Sequence, residues 1–380
     1  MFYELKFNSG LRTYLEINTN NLKHNFELIK EATNPNCGII AIVKANAYGH
    51  GDIAVCNILK NDVSYFAVAE YNEAQRLRKN NIKTPIIILG MTSTDVVNDL
   101  VDNNITQSVH SYNYAYNLNN ELKKLNKRLK VHIKLNTGMT RLGFDCESDS
   151  DINEIIKTCS LPNLDVEGIF SHFAESDNTS SEYTQIQIKR FDDVIDKLEK
   201  NNITFKYKHI SNSAGNIFYD NSKYNLVRVG IMLYGFFPSD ETEKEWNKKF
   251  PPLRPVMTFK SRISQIRSLN PGTPIGYGRS YITKDYTKIA IINAGYADGI
   301  PRLISGKTSA IQNGCKIVGK VCMDMCFVDI TNCKHVLKEG DFITLFGENS
   351  ISAKMWADAA ETITYEILCS ISDRVPRIII

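Results

Sequence analysis

The stretch at 38–51, GIIAIVKANAYGHG, sets a lysine where a lysine can act as a nucleophile. Ile39 to Val43 is a short apolar, partly β-branched run that reads as a buried strand. It ends on Lys44, and Ala-Asn-Ala-Tyr-Gly-His-Gly follows. The small residues and glycines leave room for a ligand to approach the backbone, while Tyr48 and His50 supply polar tips close by. A lysine partly withdrawn from water loses its proton more readily than a solvated one. As a neutral amine it can attack a carbonyl and form a Schiff base. The competing reading, an ordinary surface lysine after a strand, is the commoner fate of any lysine taken at random.

Other strand ends offer groups of the same character. Successive apolar runs finish on Lys134, on Ser171-His172, on His209 through Asn212-Ser213, and on Arg228-Val229-Gly230. In a barrel of parallel strands such ends converge on one face. Taken singly, His172 reads equally well as a hydrogen-bonded core histidine, and Arg228 as a salt bridge at the rim. Asn212-Ser213 running into an expected helix, with Gly230-Ile231 nearby, would present a hydroxyl and backbone N–H groups to a phosphate. No Walker A pattern and no GxGxxG follows a strand, so a nucleotide is not the favoured phosphate ligand.

The elements that must position these groups follow a rhythm. A strand is expected at 13–17, then a helix capped by Thr19 or Asn20 with Leu22, Phe26 and Ile29 on one face. Strands follow at 39–43, 65–68, 86–89, 106–109, 131–135, 166–170, 207–210 and 226–229. Amphipathic helices lie between most of them, at 70–80, 112–128 and 185–200 for example. Eight strands with intervening helices are what a (β/α)8 barrel requires, and an open doubly wound sheet fits the alternation alone as well. Around Pro238 the texture changes. Residues 239–249, SDETEKEWNKK, are polar and charged and read as a linker. Beyond it strands are expected at 256–269, 288–293, 308–312, 316–321, 326–330 and 342–346, with one short helix at 352–361. The expected organisation is an α/β barrel over 1–238, whose first strand near 12–17 is free to join the second unit, and a mostly β domain over 239–380.

Composition narrows the classes of function. The 380 residues are 43% hydrophobic and 23% charged, with a formal net charge of +3 and no run of lysine or arginine, which does not suggest nucleic acid. No apolar run approaches the roughly 18–20 residues that span a bilayer, and the first residues lack a signal peptide's basic start and apolar stretch. Nine cysteines lack a CxxC pair. Cys37, Cys56, Cys159 and Cys369 read as reduced, buried small hydrophobes, and Cys322 and Cys326, four apart, do not have zinc spacing. The expectation is a cytoplasmic protein without a metal.

The lysine string resembles the pyridoxal-phosphate motif of alanine racemases, usually written VKANAYGHG. HIKLNTGMTRLGF is similar to that family's KxDTGMxRLG segment, with Asn136 where aspartate is common. FSHFA, HISNSAG, VRVGIMLYG, PIGYGRSY, NAGYADGIPR, GKVCMDM and the closing TYEI and RVPR match in order, so the resemblance runs from Arg12 to Arg377.

The resemblance implies a racemase that interconverts L- and D-alanine through a pyridoxal 5'-phosphate imine, supplying D-alanine for bacterial peptidoglycan. Lys44 would carry the cofactor and act as acid/base on one face, with Tyr277 as acid/base on the other. Tyr48, Asn212, Ser213, Gly230, Ile231 and Tyr365 would surround the phosphate. Arg228 would meet the pyridine nitrogen and Arg141 the phenolic oxygen, with His172 near the ring supporting Arg228. Met323 would help orient the substrate carboxylate together with Arg141, and Tyr296 would line the entrance. Lys320 stands where the family often has arginine.

Lys134 has two readings at this stage. It is either carbamylated, as in some racemases it resembles, or paired with a nearby acid. The resemblance also implies a head-to-tail homodimer in which each β domain covers the other chain's barrel mouth. Rival assignments are a racemase of another small amino acid such as serine, or a barrel-type amino-acid decarboxylase using the same lysine. A decarboxylase would not need the tyrosine of IGYG. A non-catalytic carrier of the cofactor would have no use for the second domain.

Overall fold

The computed structural model describes residues 10–307, 315–334, 336–347 and 351–380. The strand expected at 308–312 lies outside the described residues. After β1 (Thr13–Ile17), eight strands alternate with helices: β2 (Gly38–Ile42), β3 (Tyr65–Val68), β4 (Ile86–Ile88), β5 (Ile105–Val109), β6 (Leu129–Lys134), β7 (Leu164–Phe170), β8 (Tyr207–His209) and β9 (Leu226–Val229). They pair in parallel in the order β8-β7-β6-β5-β4-β3-β2-β9. The two ends of this sheet come together. Asn225 N–H donates to the Lys208 carbonyl at 3.1 Å, and Arg228 N–H to the Ser211 carbonyl at 3.0 Å. The alternative of an open sheet is thereby removed, and the chain forms a (β/α)8 barrel.

The helices are explained by one-sided burial. Thr19–Ala32 buries Leu22, Phe26 and Ile29, as expected, but its cap is Asn18, whose side chain accepts the Asn21 N–H at 3.0 Å. Strands β2, β3 and β4 bury both faces, which is why they read as continuous apolar runs rather than as alternating ones.

Residues 239–249 are not an extended linker. Asp240–Asn247 is a helix capped by Ser239, which accepts the Thr242 N–H at 3.2 Å. Asp240, Glu241 and Glu243 in its first turn suit the positive end of the helix dipole. Trp246, 1% exposed, anchors the other face against Phe250. A polar composition concealed a single large buried anchor.

The remaining chain is mostly β, with strands β10 (Met257–Leu269), β11 (Pro274–Ile275), β12 (Tyr281–Ile282), β13 (Thr287–Ile292), β14 (Lys316–Val318), β15 (Cys326–Asp329), β16 (Phe342–Phe346) and β17 (Arg377–Ile379). The larger sheet has the order β14-β15-β13-β10-β1-β17, with β16 also on β10. β1 pairs with β10 and β17 instead of with the barrel. An irregularity between Ile263 and Gln265 lets the long β10 serve β1 and β16 with its first half and β13 with its second. The helix expected at 352–361 runs from Ala353 to Ala359, and a second short helix, Thr364–Cys369, follows it. Among the described residues no helix is long and apolar enough to cross a membrane.

Candidate active site

A cavity of about 390 Å³ opens at the C-terminal ends of the barrel strands, with Lys44, Tyr48, Lys134, Arg141, His172, Asn212, Ser213, Arg228, Gly230, Ile231 and Tyr365 in its wall. These are the residues expected to hold the cofactor, with Lys134; the strand-end residues Ser171, His209 and Val229 lie outside the wall. The volume is ordinary for a small-molecule site.

Lys44 leaves β2 into an unusual turn. Ala45, Asn46, Ala47 and Tyr48 all have φ between 52° and 54°, the left-handed region that non-glycine residues avoid. Four such residues cost roughly 4–8 kcal/mol at about 1–2 kcal/mol each, so other contacts must hold them. Ala47 N–H reaches the Val43 carbonyl at 2.9 Å and Gly51 N–H the Asn46 carbonyl at 2.9 Å. The Asn46 side chain accepts the Asp52 N–H at 3.0 Å, and Nδ1 of the buried His50 lies 3.0 Å from the carbonyls of both Ala47 and Tyr48. His50 therefore belongs to the scaffold, with its ring stacked on Tyr234 at 4.4 Å. Burial and then Arg141 push the Lys44 pKa below that of a free lysine, with Glu73 and Cys369 acting in the opposite direction. The amine is thus biased toward its neutral, nucleophilic form.

Tyr48 returns to the cavity between the rings of Tyr234 and Tyr365, at 5.2 and 5.7 Å. Facing it, Gly230 N–H donates to Ser213 Oγ at 3.1 Å. A Cβ on Gly230 would stand 2.7 Å from the Tyr48 hydroxyl, so glycine is what keeps this corner open. The Asn212 side-chain Oδ1 accepts from Gly215 N–H and Ser176 Oγ, at 2.9 and 2.7 Å, beside the short helix Gly215–Phe218.

Arg228 is buried at the end of β9 and donates in five directions. NH1 reaches His209 Nδ1 at 2.7 Å and its carbonyl at 3.4 Å. NH2 reaches the Ser171 carbonyl at 2.7 Å, the Ile210 carbonyl at 2.8 Å and His172 Nδ1 at 3.0 Å. Because guanidinium only donates, both imidazoles must accept on Nδ1 and carry their proton on Nε2. Burial first, and Arg228 second, hold both histidines well below the usual imidazole range, which keeps them neutral. The supporting contact expected between His172 and Arg228 is present. His209 shares the task, and His132 Nδ1 stands 3.0 Å from its Nε2.

Arg141 lies at the exposed mouth. Asn136 orders the loop that leads to it, accepting the N–H groups of Gly138 and Thr140 at 3.2 and 2.9 Å and donating to Asp145 at 2.8 Å. Asparagine does here what an aspartate could do as an acceptor. Lys134 Nζ donates to the Leu135 carbonyl at 2.7 Å and stands 5.3 Å from the Phe170 ring centroid. Its partners are a carbonyl and a ring, not the acid that one reading supposed. Burial, then Arg228 and Arg141, bring its pKa down to about 7.

Three expected site residues are not brought to this cavity. Tyr277, Met323 and Tyr296 sit on the β-rich part of the chain and are 70%, 53% and 43% exposed. Cys369, expected to be buried, is exposed and borders the cavity near Lys44. Leu89, Leu142, Phe170 and Pro238 also contribute to the wall and went unsignalled, being apolar residues no different in type from the core.

Known proteins share this arrangement over nearly the whole chain. Residues 17–238 match the family described as alanine racemase, N-terminal domain, and residues 256–379 match alanine racemase, C-terminal domain. An alanine racemase of Desulforamulus reducens is 40% identical over 97% of this chain and 98% of its own length. One of Methanococcus maripaludis is 39% identical over 96% and 98%. Among solved structures, alanine racemase of Clostridium difficile superposes with a TM-score of 0.91 at 38% identity, covering 97% of this chain and 96% of that one. The Bacillus anthracis alanine racemase with bound L-Ala-P gives a TM-score of 0.89 at 30% identity, over 97% and 95%. With both halves matched and a lysine, an arginine and an open glycine corner gathered at one barrel mouth, the chain belongs to the alanine racemase family.

Proposed function

We propose that this protein interconverts L-alanine and D-alanine with pyridoxal 5'-phosphate as cofactor. The observation that carries the reading is the cavity in which Lys44, biased toward a neutral amine, faces the corner formed by Tyr48, Ser213 and Gly230. The residues fit the cofactor. The glycine corner has the N–H groups and hydroxyls a phosphate needs, and a Cβ at Gly230 would close it. Tyr48, Ser213, Gly230 and Ile231 would hold the phosphate, with Asn212 and Tyr365 beside it. Arg228 would meet the ring nitrogen and Arg141 the phenolic oxygen, while His172 keeps Arg228 in place. Pyridoxal phosphate, when bound, supplies the electron sink that lets a proton leave the substrate Cα.

The protein's own groups then do the rest. Lys44 anchors the cofactor through its amine and moves the Cα proton on one face of the substrate. Inversion requires a second acid/base on the opposite face, and Tyr277 is assigned that role. Arg228 keeps its proton because a guanidinium is too weak an acid to release it, and its five hydrogen bonds fix its plane. Arg141 and Met323 orient the substrate carboxylate, and Tyr296 lines the entrance. Lys134, as a carbamate, would supply the anion that steadies Arg141.

The exposure of Tyr277, Met323 and Tyr296, away from the cavity, supports a homodimer in which each chain completes the other's site. In this division residues 1–238 form the cofactor-binding unit, less β1, and residues 239–380 the covering unit. The product would supply peptidoglycan, and a cytoplasmic location is supported by nine cysteines that are all free thiols.

The first test is loss of optical rotation when the purified protein is incubated with L-alanine and the cofactor. A protein that binds the cofactor and releases carbon dioxide instead would be the decarboxylase. The shared site is tested by complementation. Lys44→Ala and Tyr277→Phe should each be nearly inactive, whereas chains unfolded and refolded together form mixed dimers in which one site has both residues intact. If the tyrosine came from the same chain, every site would carry one lesion and the mixture would stay inactive.

A further inference from the structure

The turn that carries Lys44 is held from outside the cavity by a carboxylate to which the racemase reading gives no role. Glu73 lies in the first turn of the helix Tyr71–Lys79, which follows β3. Its Oε1 accepts the Ala45 N–H at 2.6 Å and its Oε2 the Ala69 N–H at 2.7 Å. Ala45 directly follows Lys44, and Ala69 directly follows β3. One half-buried side chain thus bridges the ends of two neighbouring barrel strands at the place where the backbone turns left-handed. The far end of the turn has other supports. Asp52 N–H binds Asn46, and Arg377 Nε donates to the Gly49 carbonyl at 2.9 Å.

We propose that Glu73 is a positioning residue for Lys44, fixing the direction in which the lysine leaves the barrel and setting a negative charge against the arginines around its amine. A carboxylate can accept one N–H on each of its two oxygens, and no neutral side chain of the same length can do so. Glutamine would accept one amide and turn its own N–H₂ toward the other. Aspartate would keep the charge but fall one methylene short. The electrostatics agree with the geometry. Burial and Arg141 disfavour the Lys44 ammonium, and Glu73 is the strongest influence in the opposite direction.

The proposal rests on Lys44 as the cofactor's anchor, and the test separates the two claims. The full-length chain, dialysed free of ligand, is titrated with pyridoxal 5'-phosphate, whose aldehyde can bond to Lys44, and with pyridoxamine 5'-phosphate, which has no aldehyde. Glu73→Gln should weaken pyridoxal phosphate at least tenfold and pyridoxamine phosphate less than threefold. Glu73→Asp, which serves if the glutamine variant folds poorly, should show the same selectivity. In a Lys44→Ala background the effect of Glu73→Gln on pyridoxal phosphate should vanish, because the group being positioned is gone. Equal weakening of both ligands, or weakening that persists without Lys44, would make Glu73 a general support of the fold and overturn the proposal. So would unchanged binding of both. A wild-type chain that bound neither ligand would instead remove the cofactor reading itself.

Discussion

Replacing Arg228 by lysine keeps a cation at the end of β9 and removes the fork that organises it. Five acceptors now converge on the guanidinium: Nδ1 of His209 and of His172, and the carbonyls of Ser171, His209 and Ile210. A lysine ammonium has three N–H groups on one atom; the His209 carbonyl keeps a second donor, Ser171 N–H at 3.1 Å, so at least one of the remaining four acceptors loses its donor. The site is buried, and each orphaned acceptor costs about 1–3 kcal/mol. The expected loss is therefore at least about 1–3 kcal/mol, with the smaller values applying if a water follows the shorter side chain. Urea unfolding of the ligand-free chain, wild type beside Arg228→Lys, measures it directly. The imidazoles supply a second signal. The lysine retains the positive charge, but an imidazole whose Nδ1 loses its N–H donor is free to take a proton there, so in nuclear magnetic resonance titrations that histidine should protonate at higher pH than in the wild type. A stability loss below about 1 kcal/mol, with unshifted histidines, would refute the view that this arginine organises the barrel mouth.

Tyr277→Phe should reduce racemisation by at least about 100-fold, the lower end of what a positioned acid/base contributes. Binding of pyridoxal phosphate should stay intact, because the exposed ring is unchanged; near-normal turnover in both directions would exclude this tyrosine as a base. Lys134 should take up one equivalent of carbon dioxide, seen as a carbamate resonance with carbon-13 bicarbonate. Carbon dioxide adds to a neutral amine and releases a proton, so with the lysine's pKa at about 7 the signal should grow as pH rises through neutrality. Lys134→Arg should abolish it, and a bare amine at pH 8 in saturating bicarbonate would end the assignment.

The barrel was legible because strands such as β2, β3 and β4 are apolar runs set off by amphipathic helices, as strands buried on both faces tend to be. The polar groups at the mouth were legible for the converse reason. Lys134, His172 and Arg228 interrupt apolar runs where burial makes a charged or polar side chain costly, so each demanded a partner. What the pattern hid was geometry supplied by a different part of the chain. Nothing in Lys-Ala-Asn-Ala-Tyr signals four consecutive left-handed residues. Part of their support comes from Glu73, twenty-eight positions beyond Ala45 and on another βα unit. The helix at 240–247 was hidden by its own solvent face, since seven of its eight residues are polar and only Trp246 reveals the buried side.

The last feature that one chain does not explain is the placement of Tyr277. It sits between β11 and β12, with Gly276 at φ 70° and Gly278 at φ 65°, both left-handed, so the hairpin bends sharply and presents the ring outward. Among the described residues, those from beyond position 239 in the cavity wall are Tyr365 and Cys369, next to the phosphate corner and to Lys44. A single chain therefore brings Lys44 to the cavity and leaves Tyr277, the second acid/base we propose, exposed. A lysine alone can move a proton on one face only, and Tyr277 lies away from the cavity of its own chain. Bringing Tyr277 of a second copy to the barrel mouth would set its hydroxyl near Arg141 and give the substrate its second face. On this reading association supplies the half of the chemistry that folding leaves unfinished.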